Sequence, residues 1–305
     1  MFANIKQIAE MNFRLIIINL SFLLFSINCN SQSDTIMLSK NKLFIAGSAI
    51  TLSLVSTYYY IQNSWWGDNK TAFHFDAGAD LIYAKNVDKL GHFMGGLFAA
   101  DVFKSSMLWS GMDKKNALLY GGIVGTGLQF AIEIKDAYAP YWGFSYLDLA
   151  TGTIGSFYPF FQHNHKFFEN INFKFSYYNW TDKYIQLERD RGKEISSINW
   201  HDDYPNQTYW MTINSHSIHE SLFLPKWLNI AVGFGLDDSQ YLNDNSQKSG
   251  GKNEWYIALD YDIPKMFKKW NTPIAKNIKY WLNYIHFPAP TIMISPEIKF
   301  YPLYI

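Results

Sequence analysis

The spacing of apolar positions changes near residue 170, and this change divides the chain into a helical part and a strand-rich part. Before it, apolar and small residues recur at helical spacing, with short connections that predict antiparallel neighbours, in three stretches: 87–109, 113–136 and 145–161. Asp113 is the expected N-cap of the second stretch. Beyond it, period-two alternation predicts antiparallel strands at 172–177, 208–214, 228–235 and 254–262, then one amphipathic helix at 263–285 and a last strand at 291–304.

These patterns predict an α+β fold. We expect a close-packed helical bundle at 36–165, followed at 166–305 by an antiparallel, aromatic-rich β region with one amphipathic helix. The aromatic share of 18 % suits strands and also suits a membrane–water interface. Most strand runs are shorter than the roughly 9–11 residues of an outer-membrane barrel strand and are interrupted by charges. A soluble sheet is therefore favoured, with a small barrel as the alternative.

The N-terminus has the pattern of a secretory signal at 1–34. Lys6 and Arg14 precede an apolar run at 15–25, and polar residues follow. We therefore predict export to the cell envelope, in the periplasm or at a membrane, with the outer membrane as one option. Cys29, the single cysteine, is a candidate for lipidation, although the residues before it are not the small ones that this modification favours.

A second apolar segment, 43–60, is nearly as long as the about 20 residues that span a bilayer. If this segment spans the inner membrane, Lys40 and Lys42 lie on the outer side of that membrane, where positive charge is disfavoured. A helix buried in the bundle or lying in an interface avoids that conflict, and all three alternatives stay open.

Charge and motif content exclude several functional classes. The formal net charge is zero and the chain has no basic block, so we expect no nucleic-acid partner. One cysteine excludes an intrachain disulfide framework. The chain has no sequence motif of a nucleophile elbow, phosphate-binding loop or dinucleotide-binding site. Assignment to the standard hydrolases, NTPases or dehydrogenases therefore lacks support.

A few polar residues interrupt the apolar, glycine-rich helices. Asp88 and His92 are four apart at the start of the first helix, and Glu133 and Asp136 lie at the end of the second. Asp148 follows three residues after Ser145 at the start of the third. Antiparallel packing should bring these charged ends together at one end of the bundle.

Two interpretations of this set remain open. His92, Glu133, Asp136 and Asp148 are candidate catalytic residues, with a divalent metal as a candidate cofactor, and Asp88, Lys89 and Ser145 are candidate binding residues. Alternatively, the set is a closed ion-pair network with Lys89 that fixes helix register, and Ser145 and Asp148 form a helix cap.

The order Asp88-Lys89-x-x-His92, Glu133-x-x-Asp136 and Gly143-x-Ser145-x-x-Asp148 resembles the YfiM-like family of periplasmic lipoproteins. It is more distantly similar to VanZ-like membrane proteins, from which it departs at Gly152 and at Trp142-Gly143, where those proteins carry Asn and Arg. The resemblance covers about 70 residues. It implies a compartment and site residues, and it supplies no chemistry, because the first family has no known activity.

Two functional hypotheses follow. The first is a non-enzymatic, membrane-associated scaffold or binding protein whose partner is a membrane lipid or another envelope component. The second is an envelope enzyme that acts on a lipid-linked or cell-wall substrate through the histidine and carboxylates. An enzyme needs the polar cluster open to a pocket. An ion-pair network that only fixes the helix register, here called a register lock, should be closed and fully paired.

Overall fold

The computed structural model describes residues 38–62, 70–78, 81–192, 201–218 and 225–305. The predicted signal at 1–34 and Cys29 lie outside the described residues. The fold is α+β, as predicted: a helical part is followed by an antiparallel sheet.

The helical part is formed by α1 (Lys40–Ile61), α2 (Val87–Ser110), α3 (Lys114–Asp136), α4 (Tyr146–Asn164) and the short α5 (Lys166–Glu169). Asp113 caps α3 as predicted, since its Oδ1 accepts a hydrogen bond of 2.9 Å from the backbone N–H of Asn116. Gly111 ends α2 in the left-handed conformation at φ 92°.

Helices α2 and α4 touch backbone to backbone. A Cβ atom at Gly155 would lie 2.0 Å from the carbonyl oxygen of Phe93, and one at Gly96 would lie 2.2 Å from that of Gly152. Only glycine permits this approach, which brings the polar starts of α2 and α4 side by side.

Helix α1 lies on the outside of the bundle. Ala46 is buried against α2, whereas Phe44, Leu52 and Tyr59 are exposed, so the alternative of a helix buried in the bundle does not hold for 43–60. In the described part of the chain, α3 is long and apolar enough to cross a membrane by length and composition alone, and 39 % of its apolar window is buried.

The strand part is a six-stranded antiparallel sheet in the order β1-β2-β3-β6-β7-β8, with a separate β4–β5 pair. Its strands are β1 (Ile171–Tyr177), β2 (Gln207–Asn214), β3 (Leu228–Leu236), β4 (Gln240–Leu242), β5 (Lys248–Gly250), β6 (Asn253–Tyr261), β7 (Ala289–Ser295) and β8 (Lys299–Tyr304). Its helices are α6 (Lys183–Asp190), α7 (Ser215–Ile218), α8 (Ile263–Met266) and α9 (Pro273–Leu282).

Two predicted elements are divided. The single helix expected at 263–285 is α8 and α9, because Pro273 starts a new helix whose first turn is capped by Thr272, with a bond of 3.2 Å from the N–H of Ala275 to its Oγ1. The last strand expected at 291–304 is β7 and β8, which turn back on each other around Pro296. Proline has no N–H to donate to a ladder and favours such interruptions.

The two parts pack closely against each other. The rings of Phe93 on α2 and Phe173 on β1 are 4.5 Å apart between centroids. Val87 shares a buried cluster with Tyr209 of β2 and Leu236 of β3. The division into domains at 36–165 and 166–305 stays a prediction, and this packing fixes the start of α2 against the sheet.

Candidate functional site

The polar residues singled out in the sequence meet at one end of the bundle. Asp88 and His92 lie in the first turns of α2, Glu133 in the last turn of α3, and Asp148 in the first turn of α4. Their convergence follows from helical spacing and short connections, as the sequence predicts. Their functional roles stay predictions.

The turn before α2 anchors this end of the bundle. Ala84, Lys85 and Asn86 all have positive φ, at 50°, 47° and 70°, which is costly for residues other than glycine. The turn is held by a bond of 2.8 Å from Asn253 Nδ2 to the carbonyl oxygen of Lys85. The strand part therefore sets the position from which Asp88 and His92 project.

Part of the cluster is an ion-pair network. Lys89 Nζ lies 2.8 Å from Asp88 Oδ2 and 2.9 Å from Asp148 Oδ1, and all three side chains are nearly buried. Ser145 Oγ caps α4 by accepting a bond of 3.0 Å from the N–H of Asp148. The backbone N–H of Ser145 donates to Glu133 Oε2 at 2.8 Å. These contacts fix the register of the three helices, as the packing interpretation requires.

His92 stands apart from that network. Its Nδ1 is 2.9 Å from Gln129 Oε1 and 3.7 Å from Glu133 Oε1, and its Nε2 is 3.9 Å from Asp148 Oδ2. In the tautomer in which Nδ1 donates to Gln129, Nε2 carries a lone pair available to a ligand. The His92 side chain keeps 18 % of its surface exposed, so the cluster is open.

Glu133 is the most deeply buried carboxylate of the cluster. It is 1 % exposed, and its Oε1 has no hydrogen-bond donor among the described residues. Burial, reinforced by the nearby charges of Asp148 and Asp136, raises the pKa of Glu133 to about 8 despite the bond from Ser145. The carboxyl is therefore largely protonated at neutral pH when no cation is bound.

Burial also shifts the pKa values of Asp88 and Lys89. Burial and the charge of Asp148 hold the pKa of Asp88 well above its usual range. Burial lowers the pKa of Lys89. Three carboxyl groups thus surround one ammonium group, and full ionisation would leave an excess of negative charge.

The cluster lines a cavity of about 90 Å³ between the end of the bundle and the strand part. All the sequence-predicted residues except Lys89 line it, and Lys89 binds two that do. His92, Glu133 and Asp148 each offer one ligand atom, and these atoms lie within 4.8 Å of one another. Asp136 lies at the wall and contributes charge.

The residues of the opposite wall are not predicted from the sequence. Gln129, which contacts His92, also lies outside the predicted set. Further wall residues outside the predicted set come from α3 and the loop after it, among them Ile132, Tyr141 and Trp142, and from the loop before α2 or the strand part, among them Asp76, Tyr204, Arg191, Asp202 and Lys248. No motif links these residues, so only the three-dimensional fold could reveal them.

Comparison with known proteins agrees with the expected compartment. Residues 78–163 match the model of a family described as predicted periplasmic lipoprotein (DUF2279). The matched segment contains every sequence-predicted site residue and excludes the sheet. It supports an exported, cell-envelope protein of an uncharacterised family, whereas the likeness to YfiM-like and VanZ-like proteins stays a prediction. No curated protein and no solved structure matches the chain.

Proposed function

We propose that this chain is an exported cell-envelope protein whose helical bundle holds a divalent cation between His92, Glu133 and Asp148. The observation that carries the proposal is Glu133 Oε1, a buried oxygen without a donor in the described structure that lies 3.7 Å from His92 Nδ1 beside the cavity. A buried acceptor of this kind is costly unless a ligand satisfies it.

The donor set fits a transition-metal ion. One imidazole nitrogen with two carboxylate oxygens suits Mn²⁺ or Zn²⁺ better than Ca²⁺, which takes six to eight oxygen ligands. A divalent ion would also offset the negative charge that Lys89 leaves uncompensated when Asp88, Glu133 and Asp148 are ionised. Three protein ligands leave coordination positions open to the cavity.

This arrangement favours a ligand-binding site over a register lock alone. Lys89, Asp88 and Ser145 have the paired geometry of a lock, and we assign them to packing and to orienting the ligands. His92 and Glu133 are open to a cavity and incompletely paired, as a binding or catalytic role requires. A cation-dependent enzyme on an envelope substrate is the second candidate, favoured by the open coordination positions.

We further propose that membrane lipid is the partner of the bundle's outer surface. The outward side chains of α1, α3 and α4 are apolar and exposed; they include Phe44, Leu52, Tyr59, Tyr120, Ile123, Phe130, Tyr146 and Ile154. The hydroxyl groups of Thr51 and Thr151 on these helices are satisfied within the helix, because each donates to the backbone carbonyl four residues before it, that of Gly47 and that of Leu147. Exposed apolar surface of this extent is typical of a membrane or protein contact.

Cation binding is tested by thermal stability in detergent, first with chelator and then with Mn²⁺, Zn²⁺ or Mg²⁺. We expect Mn²⁺ or Zn²⁺ to stabilise the wild type by about 2.7 kcal/mol at a concentration one hundred times the Kd. The variants His92→Ala and Glu133→Gln should lose this response. Asp113→Asn is the matched control, because Asp113 is an exposed carboxylate on the other end of α3 and asparagine caps equally well. Equal responses in all four proteins would refute the site.

A further inference from the structure

Two buried, positively charged side chains line the wall of the cavity that faces the helix cluster. Arg191 follows α6 and Lys248 starts β5, and both side chains are 1 % exposed. Lysine and arginine are rarely buried to this extent unless a counter-ion or ligand meets them. Both residues line the same cavity as His92, Glu133 and Asp148.

The pairing of these cations is incomplete. Arg191 Nη1 and Lys248 Nζ lie 2.6 and 2.7 Å from the same oxygen, Oε1 of Glu188. Lys248 Nζ nevertheless lacks hydrogen-bond geometry to any acceptor in the described residues, and Arg191 Nε has no partner there either. Asp202 is 4.0 Å from Lys248 and already accepts hydrogen bonds from two tyrosine hydroxyls.

Aromatic rings hold the two cations in place. The guanidinium carbon of Arg191 lies 4.0 Å from the ring centroid of Tyr141, and Lys248 Nζ lies 3.9 Å from that of Tyr184. Such contacts orient a cation without using its N–H groups. Arg191 Nε and Lys248 Nζ therefore stay available to a ligand.

We propose that Arg191 and Lys248 bind a phosphate group, which bridges to the cation held by His92, Glu133 and Asp148; the bridge rests on the proposed function. A guanidinium fork and an ammonium group are the donors that proteins use for phosphate, and a metal ion commonly takes another of its oxygens. A tetrahedral anion has enough oxygens for all three partners. The cavity of about 90 Å³ is several times larger than one water molecule requires.

The phosphate can come from a lipid headgroup or from a free phosphate compound. Phe75 stacks on Tyr146 with centroids 5.4 Å apart, and both rings are exposed beside the cavity-lining residues Asp76 and Ser145. Exposed aromatic rings at this rim suit the headgroup region of a membrane. The experiment must therefore distinguish these two sources.

The test is equilibrium dialysis of labelled inorganic phosphate against the full chain in detergent, with and without Mn²⁺. We expect Arg191→Gln and Lys248→Met each to weaken phosphate binding by about tenfold or more. The matched controls are Arg189→Gln, an exposed arginine in the last turn of α6, and Lys252→Met, an exposed lysine just after β5, which should bind as the wild type does. If Arg191→Gln does not fold, Arg191→Lys keeps the charge without the fork and should show a smaller loss.

The two proposals fail separately. His92→Ala should abolish only the increase in phosphate affinity that Mn²⁺ causes. A protein that binds no Mn²⁺ but binds phosphate through Arg191 and Lys248 would refute the cation site and the bridge, and would support the anion subsite. Wild-type affinity in both Lys248→Met and the folded Arg191 variant would overturn the subsite, as would no phosphate binding in the wild type.

A flotation assay identifies the source of the phosphate. Phosphatidylcholine vesicles with and without phosphatidic acid are compared, and inorganic phosphate is added as competitor. Preference for phosphatidic acid that is lost in Lys248→Met and displaced by phosphate supports a headgroup ligand. Equal binding to both vesicles, combined with Lys248-dependent phosphate binding in dialysis, supports a free phosphate compound.

Discussion

Replacing Glu133 with glutamine should remove a specific pH dependence from the stability of the cation-free protein. Burial raises the pKa of Glu133 to about 8 from an ordinary value of 4.5. The folded state therefore binds more protons than the unfolded state between these two pH values. Stability contributed by the protonated carboxyl is fully present below pH 4.5 and is lost as pH rises through 8.

The magnitude follows from the size of this shift. Each unit of pKa difference corresponds to about 1.36 kcal/mol, so the interval from pH 4.5 to pH 7 costs the wild type about 3 kcal/mol. Glutamine is neutral at every pH, and its side-chain oxygen can still accept the hydrogen bond from the backbone N–H of Ser145. The variant should lack this component of the pH profile.

The assay is urea denaturation in detergent and chelator at a series of pH values between 4.5 and 8. The difference in unfolding free energy between Glu133→Gln and the wild type should grow by up to about 1.4 kcal/mol per pH unit. Asp113→Asn is the control, because the backbone and side chain of Asn116 lower the pKa of Asp113 and confine its titration to more acidic pH. Parallel profiles for Glu133→Gln and the wild type would show that burial does not raise the pKa of Glu133 in the folded state.

Two further predictions concern packing and charge. Gly155→Ala should destabilise the protein by about 1–3 kcal/mol in urea denaturation, because its Cβ would lie 2.0 Å from the carbonyl oxygen of Phe93. Gly127→Ala, where a Cβ meets nothing within 4 Å, should be neutral or stabilising, and equal losses would contradict the close approach of α2 and α4. Lys89→Met should cost about 3 kcal/mol in chelator, because buried Asp148 loses its counter-ion, and the loss should shrink when Mn²⁺ is added. A loss that is the same with and without Mn²⁺ would argue against a cation beside Asp148.

The helical half of the site was predictable because its information is local. Four-residue spacing places Asp88 and His92 on one face of α2, and short connections force the end of α3 against the start of α4. The glycine-rich character of these helices indicates close helix contact, and the structure shows it at Gly155 and Gly96. These features depend on residues near one another along the chain, so a sequence pattern can express them.

The remaining half of the site was not predictable, for physical reasons. Arg191, which follows α6, and Lys248, in the separate β4–β5 pair, line the cavity although both are distant from the three helices along the chain, and no spacing in the sequence indicates that contact. The positive φ values at Ala84 and Lys85 fall on residues that normally avoid them, and tertiary contacts hold them there. The division of the predicted 263–285 helix could have been foreseen, because Thr272-Pro273 is a helix-start signal inside the apolar pattern.

Anomalous diffraction from crystals of the protein grown with Mn²⁺ shows directly whether the cluster holds a cation. We expect one strong peak about 2.0–2.3 Å from ligand atoms of His92, Glu133 and Asp148. A map without a peak there, from protein soaked well above the Mn²⁺ concentration that shifts its melting temperature, would contradict the cation site. That result would mean that the cluster serves only to pack the helices.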